Sequence, residues 1–554
     1  MKKIYLLLLV ALPNLIKAQT LDWVSQITAA TTNAGYDITT DASGNVYIAG
    51  QFSGYTDFDP SAGTYALTSV GIFDAFTAKY GPTGNLIWAV QLGGSVDEGA
   101  ICKAISLDQD GNVIVVGEFT GTADFDPSAA TANLTSFSND VFVCKLTNAG
   151  AYVWAKQIGG SAAPFVFDVA VDSDGNIYTA GYFQSTTDFD PSAATFEMTA
   201  VNGDCFLSKL DSDGNFVWAF KVGSTTGDGG YGVYIDDMDH VFLTGTFGNT
   251  ADFDPSGDTY NLTSTGESDV FLMKLDVDAT LIWAISFGGT LSDYAANLTV
   301  DIDDNIYVTG YFEGTADFDP GVGVSNGTSN GALDVYLSKF SADGTFLWSR
   351  QMGGLENDLG LSVTTDSEGI VYLGGTFRGS VDFDPSAATV SHTSNGNYDM
   401  FIEKFDSDGD FISVQLFGGN LADNLKAIRV DGDANIYATG EFNNEVDFDP
   451  SAGTVMLTST GQQDAFILKL KQNSAGISEG NKITEIMLFP NPVLTELVIQ
   501  TDYKIEEILI YTLTGELVKR EMRKQFSVGD LNPGLYILEV RTDAGLIRKR
   551  FIKS

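Results

Sequence analysis

Histidine is almost missing from this sequence: His240 and His392 are the two in 554 residues. Two cannot build a multi-histidine metal centre, and neither stands in the surroundings of a catalytic triad. Cysteine is nearly as scarce. Cys102, Cys144 and Cys205 are an odd set at unrelated repeat positions, so they form no disulfide framework and are expected to be buried thiols. The fold must hold by packing alone. Bases are rare too. Residues 19–481 carry 15 Lys+Arg against 63 Asp+Glu, net −48. Such a region repels nucleic acid and anionic membrane, which both need positive partners, and it could attract cations. Its three arginines, Arg350, Arg378 and Arg429, fall on different predicted strands and make no convergent carboxylate clamp. Beyond residue 12 no stretch is apolar and long enough to span a membrane.

The N-terminus is not read as fold. Lys2 and Lys3 precede an apolar run over 4–12, and Ala18 is a suitable last residue before cleavage. Residues 1–18 read as a secretory signal peptide. No cysteine follows the cut, so no lipoprotein anchor is expected.

What is abundant is repetition. Asp-Phe-Asp-Pro occurs seven times, its first aspartate at 57, 124, 188, 252, 317, 382 and 447, with steps of 64–67 residues. That period is too long for helical solenoids and suits four strands and one long loop. Within 166–223, "VFDVAVDSDG" gives strand A and "NIYTAGYF" strand B. A loop with "TTDFDPSAAT" follows, then "DCFLSKL" as strand C and "NFVWAFKVG" as strand D. The A–B and C–D turns are rich in Asp, Gly and Asn, which accept the positive φ of tight hairpins.

The six tryptophans, 23, 88, 154, 218, 283 and 348, share one position of strand D, and Ser413 holds the seventh. The last unit stops after strand C, whereas the chain opens with an orphan strand D over 21–27. One N-terminal strand added to three C-terminal strands completes a unit and ties a ring. The expectation is an all-β, seven-bladed β-propeller of four-stranded blades over 19–471, closed by its N-terminal strand. Closure removes exposed sheet edges.

The words "VAVDSDGNIYTAGYF" and "DVFLMKLD" resemble the bacterial SBBP propeller repeat, an NHL-like family. The resemblance implies that strand A lines a central channel and strand D lies outermost. It says little about ligand. The tail differs. Residues 482–554 carry net charge +1 and contain "IMLFPNPVLTELVI", "ILIYTLTGELV" and "DLNPGLYILEVRT". These closely resemble the C-terminal sorting domain of type IX secretion cargo in Bacteroidetes. That resemblance implies a small β-sandwich over 483–554, after a linker at 472–482. It further implies handling by the type IX machinery and a secreted or outer-surface address after periplasmic transit.

Two readings of the acidic tetrapeptide follow. In the structural one, Phe58 turns inward while its flanking acids face water, and Asp59-Pro60 starts a helix or turn. In the other, Asp57 and Asp59 bind calcium, as do their equivalents Asp124/Asp126, Asp188/Asp190, Asp252/Asp254, Asp317/Asp319, Asp382/Asp384 and Asp447/Asp449. The net charge favours a cation but two acids are too few for a full cage, so the expectation is no cofactor or calcium. The "DSDGN" turns lack the later glutamate of a calcium loop and read as hairpins. Strand C adds a recurring Asp and Lys, from Asp74 and Lys79 to Asp464 and Lys469, read as an ion pair or loop clamp. A glycine recurs in strand B (Gly50, Gly117 and onward), read as a close backbone approach.

No residue set selects a catalytic site, and no pair stands out among the acids. The expectation is a monomeric secreted or surface binding protein. Its ligand, a glycan or a protein, would meet the B–C and D–A loops. A polysaccharide hydrolase or lyase, with two isolated channel carboxylates, is one alternative. A rigid surface spacer is another.

Overall fold

The computed structural model describes residues 19–94, 98–160 and 163–472. In the tail it describes 487–489, 493–501, 504–512, 517–529, 531–532, 534–542 and 545–553. The signal peptide and residues 473–482 of the linker lie outside the described residues. The chain divides into two compact units, between Asn473 and Ser474.

The first unit is all antiparallel β. In its first repeat, strand A (Asn33–Thr40), B (Val46–Phe52), C (Asp74–Tyr80) and D (Leu86–Leu92) pair in that order. The order recurs from the strands A at Ala100–Leu107, Phe165–Val171, Gly229–Ile235, Asp293–Val300 and Leu359–Thr365. The last repeat joins Asn424–Val430, Ile436–Phe442 and Asp464–Gln472 to the N-terminal strand Gln19–Ala29. Repeats are numbered one to seven in this order.

Each neighbouring pair of repeats shares its own apolar cluster. Repeats one and two bury Ala49, Leu92, Ile105, Val115 and Phe142 together. Repeats seven and one bury Ile27, Ile38, Phe52, Tyr437 and Ile467. Adjacent repeats therefore stabilise one another, as in other stacked architectures. The three cysteines are free and buried.

Strand B lies against strand A too closely for a side chain at the recurring glycine. A Cβ on Gly50 would stand 2.0 Å from the Ala34 carbonyl oxygen. The recurring lysine makes a different pair from the expected one. Lys79 and Asp74 sit at opposite ends of one strand, five residues apart, so they cannot meet. Lys145 instead reaches Asp108 of its own A–B turn at 3.0 Å and the Ser212 carbonyl of the next repeat at 3.2 Å. Lys209 does the same with Asp172 and Val277. The lysine is a clamp between repeats.

The tryptophans act alongside it. Trp23, Trp88, Trp154, Trp218, Trp283 and Trp348 each donate Nε1–H to a backbone carbonyl in the next repeat's C–D turn, at 2.9–3.3 Å. Gly84 (φ +79°) makes such a turn possible, with Trp23 packed on it. Repeat seven has no C–D turn, because its strand D comes from the other end of the chain. Ser413, in repeat six, would face that missing turn.

The second unit has a three-stranded sheet, Met487–Phe489, Glu496–Gln500 and Gln525–Ser527. It also has a four-stranded one, Leu517–Glu521, Ile505–Thr512, Gly534–Thr542 and Gly545–Lys553. Leu497, Ile499, Ile508, Phe526, Leu538 and Phe551 share one core.

Candidate functional site

The aspartates proposed from sequence are loop braces. Asp57 Oδ1 accepts the backbone N–H of Asp59 at 3.1 Å and of Tyr65 at 2.9 Å. Asp59 Oδ1 accepts that of Ser61 at 2.9 Å, and this hydroxyl-bearing partner lowers the carboxyl's pKa. The same bonds recur at Asp124, Asp188, Asp252, Asp317, Asp382 and Asp447, and at Asp126, Asp190, Asp254, Asp319, Asp384 and Asp449. Phe58, fully buried between them, meets Phe52 edge-on at 5.6 Å and Phe76 at 5.0 Å. The segment after the proline is a bend and not a helix. The B–C loop also contains a short hairpin that sequence reading missed, Tyr55–Asp57 with Ala66–Thr68. It pairs with the preceding strand D, Thr28 against Asp57. Among the described residues, no group of three or more His, Cys, Asp or Glu is placed to hold a metal ion.

The A–B turns are also braced from within. Asp172 accepts N–H groups of Asp174 and Asn176 and the Tyr178 hydroxyl. His240 takes the place of the turn asparagine, its Nδ1 2.8 Å from Asp236. His392 lies on a B–C hairpin opposite Val381. Arg378 sits just past strand B beside Glu356, and Arg350 lies over the Trp348 ring.

The place where the repeats differ is the channel. Every strand A carries a bulge at one register position. A bulge re-aims its side chain. The bulged residues are Tyr36, Lys103, Phe167 and Tyr231, then Ala296, Leu361 and Lys426, and all seven line one pit. The pit lies toward the start of strand A, where the D–A loops enter.

Its two arcs are unlike. Repeats three and four supply the lining rings Phe167 and Tyr231, with further rings packed around them. Phe165 stacks on Tyr182 at 4.8 Å and 15°, Phe167 lies 5.9 Å from Tyr182, and Tyr231 lies 4.8 Å from Phe167. Tyr294 and Tyr311 continue the arc, 5.0 Å apart. These rings are half-buried. Burial pushes the Tyr231 hydroxyl up to about 12. Repeats seven, one and two supply charge. Lys426 lies 3.4 Å from Glu441, which also accepts a bond from Asn424. Lys103 sits 5.1 Å above the Tyr36 ring. Burial raises Glu118, and nearby Lys103 opposes the rise. Burial, with Glu441 and Glu118 adding, pushes Tyr36 up to about 12.

A polar girdle floors the pit. Asp37 Oδ2 accepts Ile105 N–H and Asp168 Oδ2 accepts Val233 N–H, both at 2.9 Å. Asn297 and Ser362 reach the next repeat's Val363 and Ile428 in the same way. Arg429 Nη2 stands 3.4 Å from Asp37. Burial pushes Asp168 up to about 7, with the Asp37 charge adding to it. Asp168, Asn297 and Arg429 also line a second cavity of about 320 Å³ on the other side. Channel carboxylates were the sequence signature set for a hydrolase. Asp37 and Asp168 each accept two backbone N–H bonds, so they are engaged as fasteners between repeats.

Sequence reading placed ligand contacts on the loops and missed these strand residues. The available signal was one variable column, 36, 103, 167, 231, 296, 361 and 426, within an otherwise repetitive strand A.

Two family models match this chain. Residues 153–188 and 282–311 match the family described as "Beta-propeller repeat". Residues 487–554 match "Secretion system C-terminal sorting domain". The chain is a β-propeller protein with a type IX sorting tail, and that tail implies export to the cell surface or the medium. No helix among the described residues is long and apolar enough to cross a membrane.

Two curated proteins are similar. One is an uncharacterized WD repeat-containing protein, L264, of Acanthamoeba polyphaga mimivirus. It is 23% identical over 76% of this chain and 36% of its own. The other is the regulatory protein FlaEY of Caulobacter vibrioides, 28% identical over 36% of this chain and 21% of its own. The match thus spans little more than a third of the first and a fifth of the second. Among solved structures, Sqt1 from Chaetomium thermophilum overlaps with a TM-score of 0.37, at 10% identity over 82% of this chain and 100% of that one. The Pan2 WD40 domain of Neurospora crassa gives 0.36, at 9% identity over 80% and 90%.

Proposed function

We propose that this chain is an exported binding protein: a seven-bladed β-propeller over 19–471 closed by its N-terminal strand. A short linker at 472–482 then leads to a β-sandwich at 483–554 that the type IX machinery recognises after periplasmic transit. The propeller acts as a monomer and takes a glycan or protein ligand at the channel mouth. The observation that carries this reading is the ring of seven bulged residues. Repeat-bound structure needs the same residue at each equivalent position, as the recurring glycines, lysines and tryptophans show. A position that runs from tyrosine to lysine to leucine around the ring is free of that need, and it faces an opening. A rigid spacer would have no use for half-buried rings there. Asp37 and Asp168 each brace two backbone amides and Glu441 pairs with Lys426, which favours binding over hydrolysis.

The experiment is paired. Export is followed in a host with type IX secretion, for the whole chain and for a chain ending at residue 486. The tailless chain should stay in the periplasm, and its normal release would overturn the export reading. The released whole chain is then screened against cell-surface glycans and secreted proteins. Binding lost in Phe167→Ala supports the mouth, and binding indifferent to every mouth substitution removes it.

A further inference from the structure

The mouth has enough chemistry to name a ligand class. We infer that it seats the terminal ring of a neutral saccharide. This rests on the binding reading above and deepens it.

Three observations converge. The first is shape. The pit above the girdle measures about 90 Å³, whereas pockets for drug-sized ligands run to about 300–1,000 Å³. It admits the end of a chain and leaves the remainder over the outer face. The second is the split between arcs. A pyranose presents a flat C–H face and a rim of hydroxyls. The ring arc offers the half-buried rings of Phe167 and Tyr231, which lean on each other at 4.8 Å while lining the pit, and the facing arc offers Lys103, Lys426 and Glu441. Tyrosine supplies an apolar body with a polar tip, suited to a ligand of this mixed kind. The hydroxyls of Tyr36 and Tyr231 line or border the pit with no hydrogen-bond partner among the described residues. The third is charge. Each mouth lysine has a nearby glutamate, Lys426 with Glu441 and Lys103 with Glu118. The mouth therefore holds no net cation to offset the surrounding −48, and a polyanion is repelled at long range. An uronate or sulfated chain fits poorly, and a neutral one fits.

The test uses the full-length protein. Cellohexaose, xylohexaose, mannohexaose and chitohexaose are titrated by calorimetry beside hexagalacturonate. At least one neutral hexasaccharide should bind, and hexagalacturonate should not. Phe167→Ala and Tyr231→Ala should each weaken binding by about tenfold or more, since stacked anchors carry most of such contacts. Tyr231→Phe, which keeps the ring and the fold, should cost less. Melting curves separate binding loss from misfolding. Tighter binding of hexagalacturonate overturns the inference. So does neutral binding that Phe167→Ala and Tyr231→Ala leave intact. If no sugar binds, a displayed peptide library is screened next. Peptides lost in Phe167→Ala would sink the saccharide and spare the binding reading, and no binder of either kind would sink both.

Discussion

The outer rim and the inner mouth of this propeller are built on opposite rules. At the rim, Trp88 bonds the Asn148 carbonyl and Trp348 the Ser407 carbonyl, and four other tryptophans do the same. At the mouth, equivalent bulges hold Phe167 and Lys426. The rim repeats because every repeat must grip the next. The mouth varies because nothing in the grip depends on it. The grip between repeats and the variable channel positions thus lie on different strands of one unit, D at the rim and A at the channel.

The largest effect should come from removing a repeated anchor. Phe125, fully buried against Phe119 and Phe142, should cost about 3–5 kcal/mol as Phe125→Ala, read by denaturant unfolding. Phe167→Ala at the mouth should barely move the same curve, because its ring is half exposed.

A gain of about 1–3 kcal/mol is expected from Glu403→Met. Glu403 is fully buried in strand C, and neither carboxylate oxygen has a hydrogen-bond partner. Burial raises its pKa well above normal, Asp384 and Asp382 adding. Burial likewise pushes Asp293 and Asp358 up to about 7. A carboxyl raised on folding favours the fold fully below its unfolded pKa, about 4. That contribution is lost as pH rises through the folded value. Melting temperature should therefore fall from pH 5 toward pH 8, and Glu403→Met and Asp293→Asn should each flatten the slope.

A smaller loss, about 1 kcal/mol, is expected for Trp88→Phe, which removes one hydrogen bond from the rim. Ser413→Trp should give no matching gain, because repeat seven has no C–D turn to receive it. A gain there would break the account of the missing seventh tryptophan. The smallest effect is expected from chelation. One oxygen of each Asp-Phe-Asp-Pro carboxylate is held by backbone amides as a loop brace, so removing calcium should leave the melting temperature unchanged. A fall of several degrees would restore calcium to those loops.

Much of this was legible in the sequence. The four long strands of each repeat and the pairing of the orphan first strand with Asp464–Gln472 follow from period-two alternation and turn residues, whereas the short B–C hairpin did not. The inward phenylalanine of Asp-Phe-Asp-Pro follows from the same alternation. The partners of the repeated groups were not legible. Lys145 reaches the next repeat, about a full period away in the chain, and no local pattern shows which neighbour a strand will face. The mouth was missed for a related reason. Repetition draws attention to what recurs, whereas the site consists of what does not.

The sequence by itself determined the four long strands of each repeat, the count of repeats, their order and the sorting tail, because these depend on local periodicity and short words. Only the tertiary structure decided that seven residues of five types meet around one opening. Their convergence depends on strands A from all seven repeats lining a common channel, with the bulge in each turning its side chain inward.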